Sequence, residues 1–136
     1  MPKLFTKSVL MTALAGFVVF SLYGFIVHGI LLQDMYASLP QGLWRPEGEE
    51  KMLWILIAYA LMAWVLAALR PADVTTSMVG FQRGLLLGVF LGSVNFIFYA
   101  IQPWTLEVTL VAFAADVFMP AVAGLVMAPV AARFSD

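Results

Sequence analysis

The chain has 136 residues, 63% of them hydrophobic and only 11% charged, with a mean hydropathy of +0.98. A soluble domain this small cannot hide so much apolar surface, so composition assigns it to a bilayer as one integral membrane domain over 1–136. A net charge of −1 excludes a nucleic acid held by a basic surface, and the lack of cysteine excludes disulfides, thiolate nucleophiles and Fe–S clusters.

A spanning helix needs roughly 20 mostly apolar residues. Four segments meet that need, at about 7–32, 51–69, 78–101 and 106–130. Their short connections predict an all-α membrane protein with four transmembrane helices in an up-down-up-down antiparallel bundle. In the first segment Lys3 and Lys7 precede an apolar run in which Ala13-Leu14-Ala15 resembles a signal-peptide cleavage site. The run continues through Ile30-Leu31-Leu32, well past a signal's h-region of about 7–15 residues, and reads as a retained anchor helix.

The connection from Asp34 to Glu50 is the longest, and Leu39-Pro40-Gln41-Gly42 within it is a turn signal. Arg45-Pro46-Glu47-Gly48-Glu49-Glu50 leads into the second segment, with proline near its first turn and acids facing the helix dipole. Glu47, Glu49 and Glu50 read as solvated helix-start acids, with a cation site as the lesser alternative. Arg70-Pro71-Ala72-Asp73 ends the second segment, and Thr75, Thr76 and Ser77 supply N-cap candidates for the third. Pro103-Trp104-Thr105 makes the last tight turn, with Thr105 as cap and Glu107 in the first turn of the fourth segment.

Basic residues set the expected orientation. Lys3, Lys7, Arg70, Arg83 and Arg133 share one side of such a bundle, while Arg45 and Lys51 lie on the other with most of the acids. Both termini are therefore expected in the cytoplasm, with the chain in the cell inner membrane. Tyr36, Trp44, Trp54 and Trp104 fall where an outer aromatic belt would lie, and Trp64 near an inner one. Arg83 reads as a cation that snorkels to the headgroups, and a lipid phosphate is a less specific reading.

Gly80, Gly84, Gly88 and Gly92 repeat at every fourth position of the third segment, and Ala112, Asp116, Pro120, Gly124 and Ala128 do so in the fourth. Small residues let helices approach closely in lipid. The short turn between the two segments makes them each other's expected partners; contact with another protein is the alternative.

Asp116 is the expensive residue. It lies ten residues into the fourth segment, roughly 15 Å from its outer end at 1.5 Å per residue. An ionised Asp near the bilayer centre costs about 2.5–3.5 kcal/mol on insertion scales. Pro120 has no amide to offer the Asp116 carbonyl, so an acid and an unpaired backbone acceptor come together. Ser21 and Tyr23 lie near the middle of the first segment and His28 in its outer third, while Tyr59, Asn95 and Tyr99 fall in the middle to outer half of theirs. Asp116, Asn95, Tyr59 and either Tyr23 or His28 can therefore cluster. Such a cluster is a structural hydrogen-bond network or, alternatively, a site for a small ligand, ion or proton.

His28 follows Gly24 by four residues, the small-xxx-His arrangement by which light-harvesting polypeptides seat a chlorophyll-type pigment. Pigment or haem ligation is thus a minor alternative to an interfacial imidazole bonded to loop residues or water, and one histidine per chain excludes a bis-His haem within it. With no paired carboxylates at a water-accessible face and no cysteine, no catalytic residue and no metal site is predicted, and the protein is not expected to be an enzyme.

The run from Gly24 to Asp34, the Pro46-Glu47 pair and Arg83-Gly84-Leu85-Leu86-Leu87-Gly88 resemble a group of small bacterial four-helix membrane proteins of unknown function. That group also carries an acid in its fourth helix followed by small residues, as Asp116 and Gly124 do here. The resemblance implies four helices and nothing catalytic. Pro120 departs from the group's pattern, as does the lack of a further polar residue near Tyr59.

The leading functional expectation is an accessory or structural subunit that packs against a larger membrane complex or against itself. Its partners would be membrane lipids and other transmembrane subunits, or further copies of the chain. The alternative is a small transporter or ligand-binding protein centred on Asp116 and Pro120, and the weaker one a pigment- or haem-associated subunit using His28.

Overall fold

The computed structural model describes residues 4–43, 45, 48–49 and 51–134. Lys3, Trp44, Pro46, Glu47 and Glu50, which entered the reading of the loop and the charge pattern, lie outside the described residues. All regular structure among the described residues is helical. Three helical runs are long and apolar enough to cross a membrane, Lys7–Leu31, Ser77–Ile101 and Leu106–Arg133. The helix over Met52–Ala68 has 17 residues; its length of about 26 Å falls a little short of a hydrocarbon core of about 30 Å.

Helix α1 (Lys7–Tyr23) starts at Thr6, whose hydroxyl accepts the Val9 amide at 3.2 Å. At Gly24 the chain widens into a π-helix that runs to Leu31, and the Leu32 amide then bonds the Val27 carbonyl five residues back at 2.9 Å. The single α-helix expected over 7–32 is therefore corrected to an α-helix followed by a wider coil. Each residue of the wider coil turns by less than the about 100° of an α-helix, which resets the direction of every side chain after Gly24, His28 among them. A short α2 (Gln33–Ala37) folds back from its end. At Pro40-Gln41-Gly42-Leu43 the chain reverses, and the φ of +92° at Gly42 suits glycine alone.

Helix α3 (Met52–Ala68) is followed by α4 (Ser77–Gly92), capped by Thr76, and α5 (Val94–Ile101). The expected continuous helix over 78–101 is interrupted at Ser93. The Ser93 hydroxyl donates to the Phe90 carbonyl at 2.6 Å, and the Asn95 amide donates to the Gly92 carbonyl at 2.9 Å. Side chains that compete for backbone acceptors in this way loosen a helix locally. Helix α6 (Leu106–Arg133), capped by Thr105, runs through both Pro120 and Pro129. Pro129 leaves the Leu125 carbonyl without its helical donor, and the Ser77 hydroxyl of α4 supplies one at 2.8 Å.

Helix α6 is the common support. Along α4 the glycines bring two backbones into contact: a Cβ at Gly80 would fall on the Gly124 carbonyl, one at Gly84 on Pro120, and one at Gly88 on Val117. Helix α1 packs on both α3 and α6. Phe20, with no exposed surface, is enclosed by Ala63, Ala67, Met119, Ala123 and Met127. A second core of Leu39, Trp104, Val108 and Ala112 closes the other end. Interior side chains are mostly small, whereas Phe90 and Leu86 on α4 are 74% and 69% exposed. An outward apolar surface of this extent requires a non-aqueous neighbour.

At the first end Ser8 donates to the Ala131 carbonyl at 3.4 Å, and the Lys7 ammonium lies 5.5 Å from the centre of the Phe134 ring. Trp64 there donates to the Leu4 carbonyl at 3.0 Å and stacks on Phe5. At the opposite end Trp104 is only 8% exposed, which corrects its assignment to a lipid-facing belt: it forms part of the core. Trp54 is on the outer surface.

Candidate functional site

Asp116 is held from two sides. The Asn95 side-chain amide, anchored by its bond to the Gly92 carbonyl, donates to Asp116 Oδ2 at 2.7 Å. His28 Nε2 lies 3.3 Å from Asp116 Oδ1. The interruption at Ser93 and the π-helix at Gly24–Leu31 are thus the two irregular places from which side chains reach the acid.

Beyond the imidazole, His28 Nδ1 lies 2.8 Å from the Tyr36 hydroxyl, with the two rings nearly parallel at 12°. A neutral imidazole protonated on Nε2 donates to Asp116 and accepts the Tyr36 proton on Nδ1. The result is a chain of three titratable groups, Tyr36, His28 and Asp116, contributed by α2, the π-helix and α6. Burial pushes the Tyr36 hydroxyl up to about 12, helped by the negative charge of Asp116 and by Tyr59.

The cluster opens into a cavity of about 550 Å³. Its walls are largely apolar and aromatic, with Phe25, Ile55, Tyr59 and Trp104 around the polar end formed by His28 and Asp116. Side chains of His28 and Asp116 are 25% and 27% exposed, so both are reachable from the cavity. No lysine or arginine lines it among the described residues. The Ser21 hydroxyl, at the same wall, is buried and has no hydrogen-bond partner among the described residues.

Of the residues singled out by depth, Asn95 and His28 reach Asp116. Tyr23 donates instead to the Ala115 carbonyl at 2.7 Å, which pins α1 to α6 beside the acid. Tyr59 reaches the cavity by pressing its hydroxyl against Gly24. Tyr99 does not join: it is 45% exposed and lines no part of the cavity. Pro120 is also elsewhere, buried beneath Gly84 at the floor of a different groove. By sequence Tyr36 and Trp104 read as aromatic-belt residues, and no local signal joins them to His28.

The small-xxx-His turn at Gly24 and His28 is occupied by other side chains. The space over Gly24 is filled by Tyr59, and both imidazole nitrogens already face a partner. No group of three or more metal-ligating side chains gathers among the described residues. No family model matches the chain, and comparison with curated proteins and with solved structures finds no match.

Proposed function

We propose that this chain is a four-span membrane protein that binds a small organic cation in the cavity beside Asp116. The carrying observation is a carboxylate, held by Asn95 and His28, that opens onto an aromatic-walled cavity lined by no lysine or arginine among the described residues. An ammonium group offsets the cost of an ionised carboxylate at that depth, and the faces of Phe25, Tyr59 and Trp104 suit its apolar body. His28 and Tyr36 serve as the acid's proton partners when the cavity is empty.

In this reading α3 is the fourth span and the bundle runs up-down-up-down. Lys7, Arg70, Arg83 and Arg133 support a cytoplasmic location for both termini. The resemblance to small bacterial four-helix proteins supports placing it in a bacterial inner membrane. The glycine ridge of α4 meets α6 within the chain, so an accessory-subunit reading would rest on the outward apolar surface instead.

The test is calorimetric titration of the full chain in detergent with a panel of small primary and quaternary amines. Asp116→Asn keeps the side chain's shape and removes its charge, and is expected to weaken amine binding at least tenfold with the helical content unchanged. Equal binding by the folded Asp116→Asn protein, or no amine binding by the wild type, overturns the proposal.

A further inference from the structure

Helix α3 leans on α1 and α4 on α6, and between α3 and α4 an open groove of about 440 Å³ remains. Leu66 and Leu69 form one wall, Leu87 and Leu91 the other, and Pro120 and Met127 of α6 the floor. Arg70 and Arg83 also line it, and the Arg83 side chain is 52% exposed. We propose that this groove holds one acyl chain of an anionic phospholipid, with the lipid phosphate between Arg70 and Arg83.

Depth argues for a lipid over a protein helix. The α4 residues lining the groove run from Gly80 to Leu91, which spans about 16 Å at 1.5 Å per residue. That is half of a hydrocarbon core of about 30 Å, the reach of a lipid in one leaflet. A spanning partner helix requires a groove through both leaflets. The groove also begins at the end that carries Lys7 and Arg133, where a headgroup would sit.

Charge argues for an anionic headgroup. Arg70 donates to the carbonyls of Pro71 and Val74, which fixes its guanidinium in place, and no carboxylate pairs with it among the described residues. Arg83 faces Asp73 at 3.6 Å, but their side chains are 52% and 66% exposed. Exposed pairs of this kind contribute little, so a phosphate can displace Asp73 without a large loss. Arginine, with its planar fork of donors, is the side chain best suited to a phosphate.

The experiment is native mass spectrometry of the full chain in detergent with added phosphatidylglycerol or phosphatidylcholine. The wild type is expected to retain one phosphatidylglycerol and to prefer it over phosphatidylcholine by about tenfold. Arg83→Ala should cut that retention about fivefold, the effect of one cation at an anionic lipid surface. Leu87→Trp leaves both arginines in place and fills the groove, and should abolish retention in a protein of unchanged helical content. Equal retention of the two lipids, retention unchanged in both variants, or a dimer that excludes the lipid overturns the proposal. None of these outcomes depends on amine binding at Asp116, which lies in the other cavity.

Discussion

Asp116 is tolerable in a lipid-facing fold because its two oxygens are met by different elements, Asn95 at 2.7 Å and His28 at 3.3 Å. Removing one partner leaves a part-buried acceptor unsatisfied, at a cost of up to about 1–3 kcal/mol. Asn95→Leu strips two bonds at once, to Asp116 and to the Gly92 carbonyl, and should lower stability by about 2–4 kcal/mol, read from denaturant unfolding in micelles. An Asn95→Leu protein as stable as wild type would show that water replaces both bonds. Tyr36 supplies the pH signature. Its hydroxyl titrates at about 12 in the folded chain against 10.0 unfolded, so folding favours its protonated form. That contribution is complete below pH 10 and is lost as pH rises towards 12. Thermal stability should therefore fall across this window more steeply in the wild type than in Tyr36→Phe. Parallel slopes would show that the Tyr36 hydroxyl does not carry the effect.

Among the elements, the α4–α6 pair depends on what its glycines lack. A Cβ at Gly88 would meet the Val117 backbone, which no rotamer change relieves, whereas one at Gly92 comes no closer than 3.0 Å to Phe113. Gly88→Ala should cost about 1–3 kcal/mol by overpacking despite alanine's better helix propensity. Gly92→Ala should be close to neutral, and equal losses in denaturant unfolding would contradict this account of the contact. Spacing at every fourth residue identifies this face in the sequence, because a small-residue ridge is a local property of one helix. The irregular elements were less legible. Neither the π-helix from Gly24 nor the interruption at Ser93 breaks the apolar pattern of its segment, since both change the coil without adding a charge or a proline. Pro129 was visible in the sequence, but its partner Ser77 lies 48 residues away and joins it only across the helix pair.

At the scale of the whole molecule, the two ends differ chemically. Lys7, Arg70, Arg83 and Arg133 gather at one, and Tyr36, Trp104 and Glu107 lie towards the other. Because the chain has no cysteine, single cysteines report side directly. In intact cells a membrane-impermeant thiol reagent should label Glu49→Cys at once and Arg133→Cys only after permeabilisation; the reverse pattern would invert the proposed orientation.

Composition and hydropathy determined by themselves that this chain is helical and suited to a membrane, because lipid leaves few ways to satisfy a backbone and apolar runs of this length express one of them. Local chemistry likewise determined the cap at Thr105 and narrowed the other to Thr75, Thr76 or Ser77, of which Thr76 caps α4. The tertiary structure alone decided that His28, Tyr36, Asn95 and Asp116 meet around a cavity while Tyr99 and Pro120 face elsewhere. Depth along a helix follows from counting residues. Direction around it depends on every departure from the regular α-helical coil, and here two such departures aim the site.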